Sequence, residues 1–194
     1  MAYLQFWRPK YPHFGAPFFL SIIAKKTFKI LCQLDNFKKT DKILDLGGGT
    51  ERVSKFFIGK AQEIIVLDSS AGMIEKCKNH IGLSCILGLA DKIPFPDSYF
   101  DKIIIIDSFH HFRNQEIICQ EIKRVLMQNG KLLIEEFNPR TIIGGLIALI
   151  EKLLKMKSDF YFSKELNALF AKYLLKIKIF NGAKTKYYLL AEKI

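Results

Sequence analysis

The sequence lacks the cysteine spacings that are typical of disulfide-rich or zinc-binding proteins. Its four cysteines are scattered and contain no Cys-x-x-Cys pair: Cys32, Cys77, Cys85 and Cys119. This pattern favours buried thiols in a reducing cytoplasm over disulfides or a structural zinc site. The chain also lacks a basic and then apolar start with a small-residue cleavage site, which argues against secretion.

Acidic residues are in deficit, with 19 Asp and Glu against 30 Lys and Arg and a net charge of +11. A basic excess can indicate a nucleic acid, an anionic membrane surface or a lysine-rich proteome. Because the lysines are dispersed, the charge alone does not choose among these. With 194 residues, of which 49% are hydrophobic, the chain is long enough for one domain with a substantial core.

Apolar runs alternate with helical patterns along most of the chain. Strands are predicted at residues 42–44, 63–68, 84–87, 101–107 and 131–137, and helices at 18–34, 52–57, 72–80, 117–127, 141–157 and 163–173. The strands lack in–out alternation, which indicates a parallel sheet buried on both faces. Two further strand-like runs, 174–180 and 186–191, flank Asn181-Gly182 and predict an antiparallel hairpin. The predicted fold is α/β: a doubly wound, Rossmann-like sheet of seven mostly parallel strands that ends in this C-terminal antiparallel hairpin.

A glycine turn, Asp45-Leu-Gly47-Gly48-Gly49-Thr50, follows the first strand and precedes a predicted helix. Glycine lets the backbone approach a ligand closely, and a helix start offers unpaired N–H groups. Asp68 ends the second strand, where a carboxylate can accept hydrogen bonds from both hydroxyls of a ribose. A helix-capping turn aspartate is the structural alternative for Asp68.

The spacing of the glycines disfavours a nicotinamide dinucleotide. The dinucleotide fingerprint needs a third glycine three residues after the second, and that position holds Arg52. A ligand without phosphates, with an adenosine and an amino-acid end, suits the turn better.

Five ordered stretches between Lys42 and Phe137 carry a family resemblance. They are the glycine turn, residues 66–74 around Asp68, residues 90–101, residues 107–112, and residues 121–134. Together they resemble the class I S-adenosylmethionine-dependent methyltransferases, in particular the small-molecule branch that includes the ubiquinone and menaquinone C-methyltransferases. The resemblance implies an enzyme that transfers a methyl group from S-adenosylmethionine to a small-molecule acceptor.

The resemblance also implies roles for individual residues. The methionine end of the cofactor would lie on Gly47 to Thr50 beside Asp45, and the ribose on Asp68 with Ser69 next to it. The adenine would lie near Met73, Leu89, Ala90 and Asp91, and the methionine amino group near Ile106 and Asp107. Core packing is the structural alternative for Met73. The chain departs from the family pattern at Glu51, which replaces a glycine, and at Leu89, which replaces an acidic residue.

Two histidines follow the fourth strand, at the predicted mouth of the site. His110 and His111, with Asp107, are the candidate catalytic residues, because histidine titrates near neutrality and can orient or deprotonate an acceptor. Packing against Phe109 and Phe112 is the structural alternative for the two histidines.

The regions outside the core are predicted to contact the acceptor. Residues 1–40 form an aromatic and helical lid segment, 42–137 the cofactor-binding core, and 138–194 the substrate-side helices and hairpin of one domain. The apolar runs 16–24 and 142–150 are too short to span a membrane; they suit core burial, a lipophilic acceptor pocket, or an anionic membrane surface. The predicted location is the cytoplasm, with or without membrane association.

Two other functions stay open at this level. The charge of +11 suits an RNA methyltransferase, but the chain has Ile106-Asp107-Ser108-Phe109 where a flipped base would call for an Asn-Pro-Pro-Tyr-type tetrapeptide. The departures at Glu51 and Leu89 suit a non-catalytic binding protein that keeps the fold and has a weakened cofactor site.

Overall fold

A seven-stranded sheet forms the centre of the protein in the computed structural model, which describes residues 16–153, 159–173, 176–181 and 185–194. Its strands are β1 (Lys42–Leu46), β2 (Glu63–Asp68), β3 (Ser84–Leu87), β4 (Phe100–Ile106), β5 (Leu126–Phe137), β6 (Lys176–Asn181) and β7 (Lys186–Glu192). Their order across the sheet is β3-β2-β1-β4-β5-β7-β6. Strands β1 to β5 are parallel, whereas β7 pairs antiparallel with both β5 and β6. The predicted fold class is confirmed.

Apolar residues on both faces of the sheet pack under helices. The helices are α1 (Ala16–Leu34), α2 (Ala71–Cys77), α3 (Gln115–Val125), α4 (Ile142–Leu153) and α5 (Ser163–Ala171). One core cluster joins α3 and α5 to the sheet through residues such as Ile122 and Phe170, and the other joins α1 through Leu31. Burial of each such side chain contributes about 1.5–3 kcal/mol, which is why the strands are continuously apolar.

The strand order creates a crevice between β1 and β4. From β1 the chain winds outward through β2 to β3, and then returns to β4 on the other side of β1. The connections after β1 and β4 therefore leave in opposite directions at their carboxyl ends. In open α/β sheets, ligands bind at such a switch point.

The segment after the glycine turn differs from the prediction. In place of a helix over residues 52–57, a short 3-10 turn spans Ser54–Phe57. Glu51 has a left-handed backbone with φ of 56°, and Gly59 has φ of 75°, so regular helix cannot extend in either direction. The prediction of a helix N-terminus at the glycine turn is therefore wrong.

Two of the cysteines also differ from the prediction of buried thiols. Cys77, at the end of α2, forms a disulfide with Cys85 in β3, with a Cα–Cα distance of 6.0 Å. The turn between α2 and β3 brings the two residues within disulfide range, although their spacing of eight residues gave no signal. Cys119 is a buried thiol as predicted, but Cys32 is exposed.

The remaining boundaries shift by a few residues. Helix α3 ends at Val125 and β5 begins at once, so Asn129-Gly130 is a distortion inside a strand, with φ of 63° at Asn129, rather than a stop before it. Most of the aromatic opening segment, the end of the predicted helix 141–157 and Gly182 of the hairpin turn lie outside the described residues. Among the helices that are described, none has the length and apolar content needed to cross a bilayer.

Candidate active site

The glycine turn lies at the carboxyl end of β1 and contacts the end of β2. Gly47 has φ of 74° and donates its N–H to Leu67 O at 2.8 Å. Gly49 has φ of 56° and donates its N–H to Asp68 Oδ2 at 2.9 Å. A Cβ added at Gly47 would lie 2.8 Å from Ser108 Oγ, so both the backbone conformation and the space require glycine there. The turn and Asp68, predicted from sequence as two parts of one site, are in direct contact.

Asp45 lies beneath this turn and is fully buried. A Cβ at Gly48 would lie 2.5 Å from Asp45 Cγ, so the turn packs directly on the carboxylate. Ser54 donates its hydroxyl to Asp45 Oδ2, while Oδ1 has no hydrogen-bond partner among the described residues. Burial raises the pKa of Asp45 to about 7; the Ser54 hydrogen bond opposes this shift and the charge of Asp68 adds to it.

The raised pKa of Asp45 predicts a pH-dependent stability. Between the unfolded pKa near 4 and the folded pKa of about 7, the folded state holds a proton that the unfolded state has released. The contribution of Asp45 to the free energy of unfolding should therefore fall, by on the order of a few kcal/mol, as pH rises from 4 to 7. Urea unfolding of wild type and Asp45→Asn across this range checks it, because the free energy of unfolding of wild type relative to the asparagine variant should fall by this amount. Parallel curves for the two proteins would contradict the assignment.

Asp68 is held by the backbone on both sides. Its Oδ1 accepts from the N–H of Ser70 at 2.8 Å while Oδ2 accepts from Gly49. The remaining residues predicted at the adenine side follow the ends of β2 and β3: exposed Ser69 and Leu89, and half-buried Met73, Ala90 and Asp91. Gly88 N donates to Asp68 O at 3.0 Å, which joins the loop after β3 to this edge. The structure therefore brings the predicted adenine-side residues to the same edge of the sheet as the glycine turn.

A buried charge cluster lies at the neighbouring edge, where β4, β5 and β7 meet. Lys186 Nζ contacts Asp107 Oδ2 at 2.6 Å and Glu135 Oε1 at 2.5 Å. Thr27 of α1 donates to both oxygens of Glu135, at 3.1 and 2.9 Å. The cluster thus joins helix α1 to strands β5 and β7 and to the end of β4. Asp107 directly follows Ile106, the half-buried last residue of β4. Asp107 is the one member of this cluster that was predicted from the sequence; Lys186, Glu135 and Thr27 were not.

Asp107 combines an unusual backbone with an incomplete set of partners. Its φ is 51°, and its Oδ1 is buried without a hydrogen-bond partner in the part of the chain that is described. Burial raises the pKa of Asp107 to about 6, although Lys186 opposes the shift. For Lys186, burial acts to lower the pKa, but Asp107 and Glu135 outweigh it and the pKa is raised. Lys186 therefore stays charged between two carboxylates.

His110 lies in a short 3-10 turn (Phe109–His111) and pairs with a buried carboxylate. Its Nδ1 lies 2.6 Å from Glu136 Oε2, and the two side chains are 3% and 5% exposed. The other oxygen of Glu136 accepts from Phe109 N–H at 2.7 Å. His111, by contrast, is exposed, with its ring centroid 4.0 Å from that of His110. The adjacent carboxylates Glu135 and Glu136 near the end of an apolar strand are the sequence signal for these buried pairs, and they were not among the predicted site residues.

Glu51 does not hydrogen-bond to the N–H groups of the glycine turn. Its Oε1 lies 2.9 Å from His80 Nε2, and its Oε2 has no hydrogen-bond partner among the described residues. The left-handed backbone at Glu51 directs the side chain towards the residues after α2. Burial raises the pKa of Glu51, while His80 opposes the shift.

These features fit an adenosine ligand that carries a cationic amino-acid end. Asp45 Oδ1 and Asp107 Oδ1 are two buried acceptors without donors among the described residues, at the ends of the adjacent strands β1 and β4. An ammonium group supplies such donors. The fold and these two acceptors fit the class of site expected for a nucleoside that carries an amino-acid end.

Comparison with known proteins agrees with this class. Residues 44–134 match the methyltransferase domain family. The chain is 31% identical over 142 residues to the ubiquinone/menaquinone biosynthesis C-methyltransferase UbiE of Neisseria meningitidis serogroup A, a match that covers 69% of this chain and 54% of the relative. The chain thus spans about half the length of the curated relatives that it matches.

Solved structures share the fold across nearly the whole chain. The PH0226 protein of Pyrococcus horikoshii has a TM-score of 0.76 at 21% identity, with 97% of both chains covered. A possible histamine N-methyltransferase of Thermotoga maritima has a TM-score of 0.78 at 16% identity, with 91% of this chain and 92% of that chain covered. The matched part of the chain is therefore similar to a methyltransferase domain, and these solved structures have the same fold.

Proposed function

We propose that this protein transfers a methyl group from S-adenosylmethionine to a small lipophilic acceptor. The observation that carries the proposal is the contact between the glycine turn and Asp68, the Gly49 N–H to Asp68 Oδ2 hydrogen bond across the ends of β1 and β2. This contact leaves a carboxylate and turn backbone side by side at the carboxyl edge of the sheet, next to the switch point between β1 and β4. The ribose hydroxyls would bind Asp68, and the methionine end would bind the turn.

The cofactor, when bound, supplies a methyl group that is already activated by a sulfonium. The protein therefore has to bind the cofactor and the acceptor, align them with each other, and exclude water. Asp107 is proposed to accept a hydrogen bond from the ammonium group through Oδ1, which lacks a donor among the described residues. His110 and His111 are proposed to orient or deprotonate the acceptor.

A quinone-type ring is the first candidate for the acceptor. The curated relatives are named as ubiquinone/menaquinone biosynthesis C-methyltransferases, and the apolar side chains near His110 suit an aromatic ring. Phe160 stacks on His110 with ring centroids 4.5 Å apart, and Phe109 packs beside Phe112 and Tyr161. These contacts make this side of the proposed site apolar.

The exposed apolar residues of helix α4 support the proposal that the protein takes its acceptor from an anionic membrane surface. Ile142, Leu146, Leu149 and Leu153 are 92%, 54%, 52% and 72% exposed, and their spacing places them on one face of the helix. An exposed apolar stripe on a protein of charge +11 suits the interface of an anionic bilayer, where a lipophilic acceptor also partitions.

Methyl transfer from radiolabelled S-adenosylmethionine tests this proposal. A prenylated 1,4-naphthoquinol in phosphatidylglycerol vesicles should become labelled faster than the same quinol in phosphatidylcholine vesicles. The double variant Leu146→Ser/Leu149→Ser should lose this preference, whereas Ile81→Ser, which changes a 96% exposed isoleucine of the loop before β3, should keep it. Label in added RNA and none in any quinol would contradict the proposal, and equal rates in both vesicle types would remove the membrane surface from it.

A further inference from the structure

A disulfide joins the two elements that follow Asp68 in the chain. It links Cys77, the last residue of α2, to Cys85 in β3, the strand at one edge of the sheet. Cys77 is fully buried, whereas Cys85 is half-buried, so a thiol from solution reaches the bond from the side of Cys85. The other two cysteines, Cys32 and Cys119, are free thiols. The crosslink is therefore open to thiol exchange, and its loss separates α2 from β3.

Helix α2 is short and has few buried side chains. It is seven residues long, and its buried residues are Ile74 and Cys77. An isolated helix of this length is marginal in water, so its contacts with the sheet decide whether it stays ordered. When the disulfide opens, only noncovalent packing holds the C-terminal end of α2, and that end gains conformational freedom. The oxidised protein is thus more rigid at α2 than the reduced protein.

Both elements joined by the disulfide also hold Asp68, which is proposed to bind the ribose. Before α2, Ser70 N–H donates to Asp68 Oδ1 at 2.8 Å. The carbonyl of Ser70 accepts from Met73 N–H and Ile74 N–H, both at 3.1 Å. After β3, Gly88 N–H donates to Asp68 O at 3.0 Å. The carboxylate and the backbone of Asp68 are therefore held from α2 and from β3, and loosening of either element disturbs the ribose site.

The loop that the disulfide closes makes a second connection with the cofactor site. Residues 78–83 connect α2 to β3, and His80 in this loop has its Nε2 2.9 Å from Glu51 Oε1. The N–H of Glu51 donates to Gly48 O in the glycine turn at 3.0 Å. A glycine at position 51, as in the family pattern, has no side chain to form this pair. The loop therefore contacts the residue that follows the glycine turn, and it does so through a side chain that departs from the family pattern.

We propose that the Cys77–Cys85 disulfide is a redox switch that sets the affinity of the protein for S-adenosylmethionine. The oxidised form holds α2, β3 and their connecting loop in the arrangement that binds the cofactor, and the reduced form binds it more weakly. The inference rests on the cofactor site of the proposed function and does not depend on the acceptor. By linkage, bound S-adenosylmethionine stabilises the disulfide against reduction by the same factor.

A dithiol opens the switch by exchange. One thiolate of the dithiol bonds to Cys85 Sγ as the bond to Cys77 breaks, and Cys77 leaves as a thiolate that takes up a proton. The second thiol of the dithiol then forms a cyclic disulfide and releases Cys85, so that two protein thiols and one oxidised dithiol result. A small disulfide such as glutathione disulfide closes the switch in the reverse direction and leaves as two thiol molecules.

Titration calorimetry with S-adenosylmethionine measures the affinity of the two redox forms. Glutathione disulfide prepares the oxidised protein and dithiothreitol the reduced protein. After denaturation, the oxidised protein should react with N-ethylmaleimide at Cys32 and Cys119 alone, and the reduced protein at all four cysteines. The oxidised protein should bind the cofactor about tenfold more tightly. Reaction at all four cysteines of the oxidised sample, or equal affinities of the two forms, would overturn the inference.

Two single substitutions assign the effect to this disulfide. Cys85→Ser removes the crosslink at the half-buried position and leaves the buried side chain of Cys77 in place. It should bind S-adenosylmethionine as weakly as reduced wild type and should not respond to dithiothreitol. Cys32→Ser, which removes an exposed free thiol of α1, is the matched control and should respond as wild type does. A Cys85→Ser protein that binds as tightly as oxidised wild type would contradict the proposal.

Amide hydrogen exchange separates a local effect from unfolding of the whole domain. Reduction should increase exchange in α2 and in residues 78–83, and it should leave exchange in α3 unchanged, because α3 lies across the sheet and has no contact with the disulfide among the described residues. Faster exchange in α3 by the same factor would overturn the assignment of a switch.

The same titrations keep this inference separate from the proposed function. Absence of binding to oxidised wild type would remove the proposed cofactor site and the switch with it. Tight binding that is identical in the oxidised and reduced forms would remove the switch alone and leave the proposed methyl transfer intact.

Discussion

Replacement of Lys186 by methionine should lower the free energy of unfolding by about 3–5 kcal/mol, because the change leaves two carboxylates buried without their cation. Asp107 and Glu135 both contact Lys186 Nζ, and the Glu135 side chain has no exposed surface. Thr27 provides a neutral donor to Glu135 and cannot compensate its charge. The loss should also loosen α1, which reaches the cluster through Thr27.

Urea unfolding at pH 7.5, followed by circular dichroism, measures this effect. Lys178→Met is the matched control: it makes the same substitution at an exposed position of β6, in the same hairpin. The control should change the free energy of unfolding by less than about 0.5 kcal/mol. A Lys186→Met protein that is as stable as the control would show that the buried cluster is not held by this cation.

Asp68→Asn should weaken the binding of S-adenosylmethionine by about 100-fold or more. Each ribose hydroxyl that donates to a carboxylate contributes about 1.5–3 kcal/mol, and an amide offers only one accepting oxygen. The same oxygens hold the turn through Gly49 N–H and Ser70 N–H, so the asparagine must give up at least one of these contacts. The variant therefore loses hydrogen bonds to the ribose and also contacts that hold the glycine turn in the binding conformation.

Isothermal titration of wild type, Asp68→Asn and Glu75→Gln checks this prediction. Glu75 lies on the exposed side of α2, so Glu75→Gln makes the same change of charge nearby without touching the site. The control should bind like wild type. An Asp68→Asn affinity within about threefold of wild type would place the ribose elsewhere.

Features that depend on the local pattern of residues could be predicted from the sequence. Continuous apolar runs predicted the parallel strands, and Asn181-Gly182 between two such runs predicted the reversed pair β6 and β7. The contact between Gly49 and Asp68 was also foreseeable, because neighbouring parallel strands end at one edge of the sheet. The pattern of apolar residues and the turn residues therefore predict both the fold and the position of the candidate site.

Features that depend on contacts between distant residues were not predictable in this way. Glu136 reaches His110 across 26 positions, and Lys186 reaches Asp107 across 79, so no spacing in the sequence reports either pair. The disulfide between Cys77 and Cys85 depends on how tightly the chain turns between α2 and β3. The left-handed backbone at Glu51 prevents a regular helix from starting at the glycine turn. The prediction was wrong there because side-chain propensity does not reveal a single residue of unusual φ.

The departures from the family pattern bear on the remaining alternative, a methyltransferase fold without a working cofactor site. The Glu51 carboxylate lies 2.9 Å from His80 Nε2, and among the described residues this carboxylate forms no hydrogen bond with the glycine turn. Leu89 is 57% exposed after β3, so it does not fill the edge beside Asp68. Neither side chain competes for the groups that would bind the nucleoside.

A crystal structure of the protein with S-adenosylhomocysteine tests the central claim most directly. The account predicts the ribose hydroxyls within hydrogen-bond distance of the Asp68 carboxylate and the amino-acid end against Gly47 to Gly49. A nucleoside bound anywhere else, or a protein that takes up none at about 1 mM ligand, would contradict it.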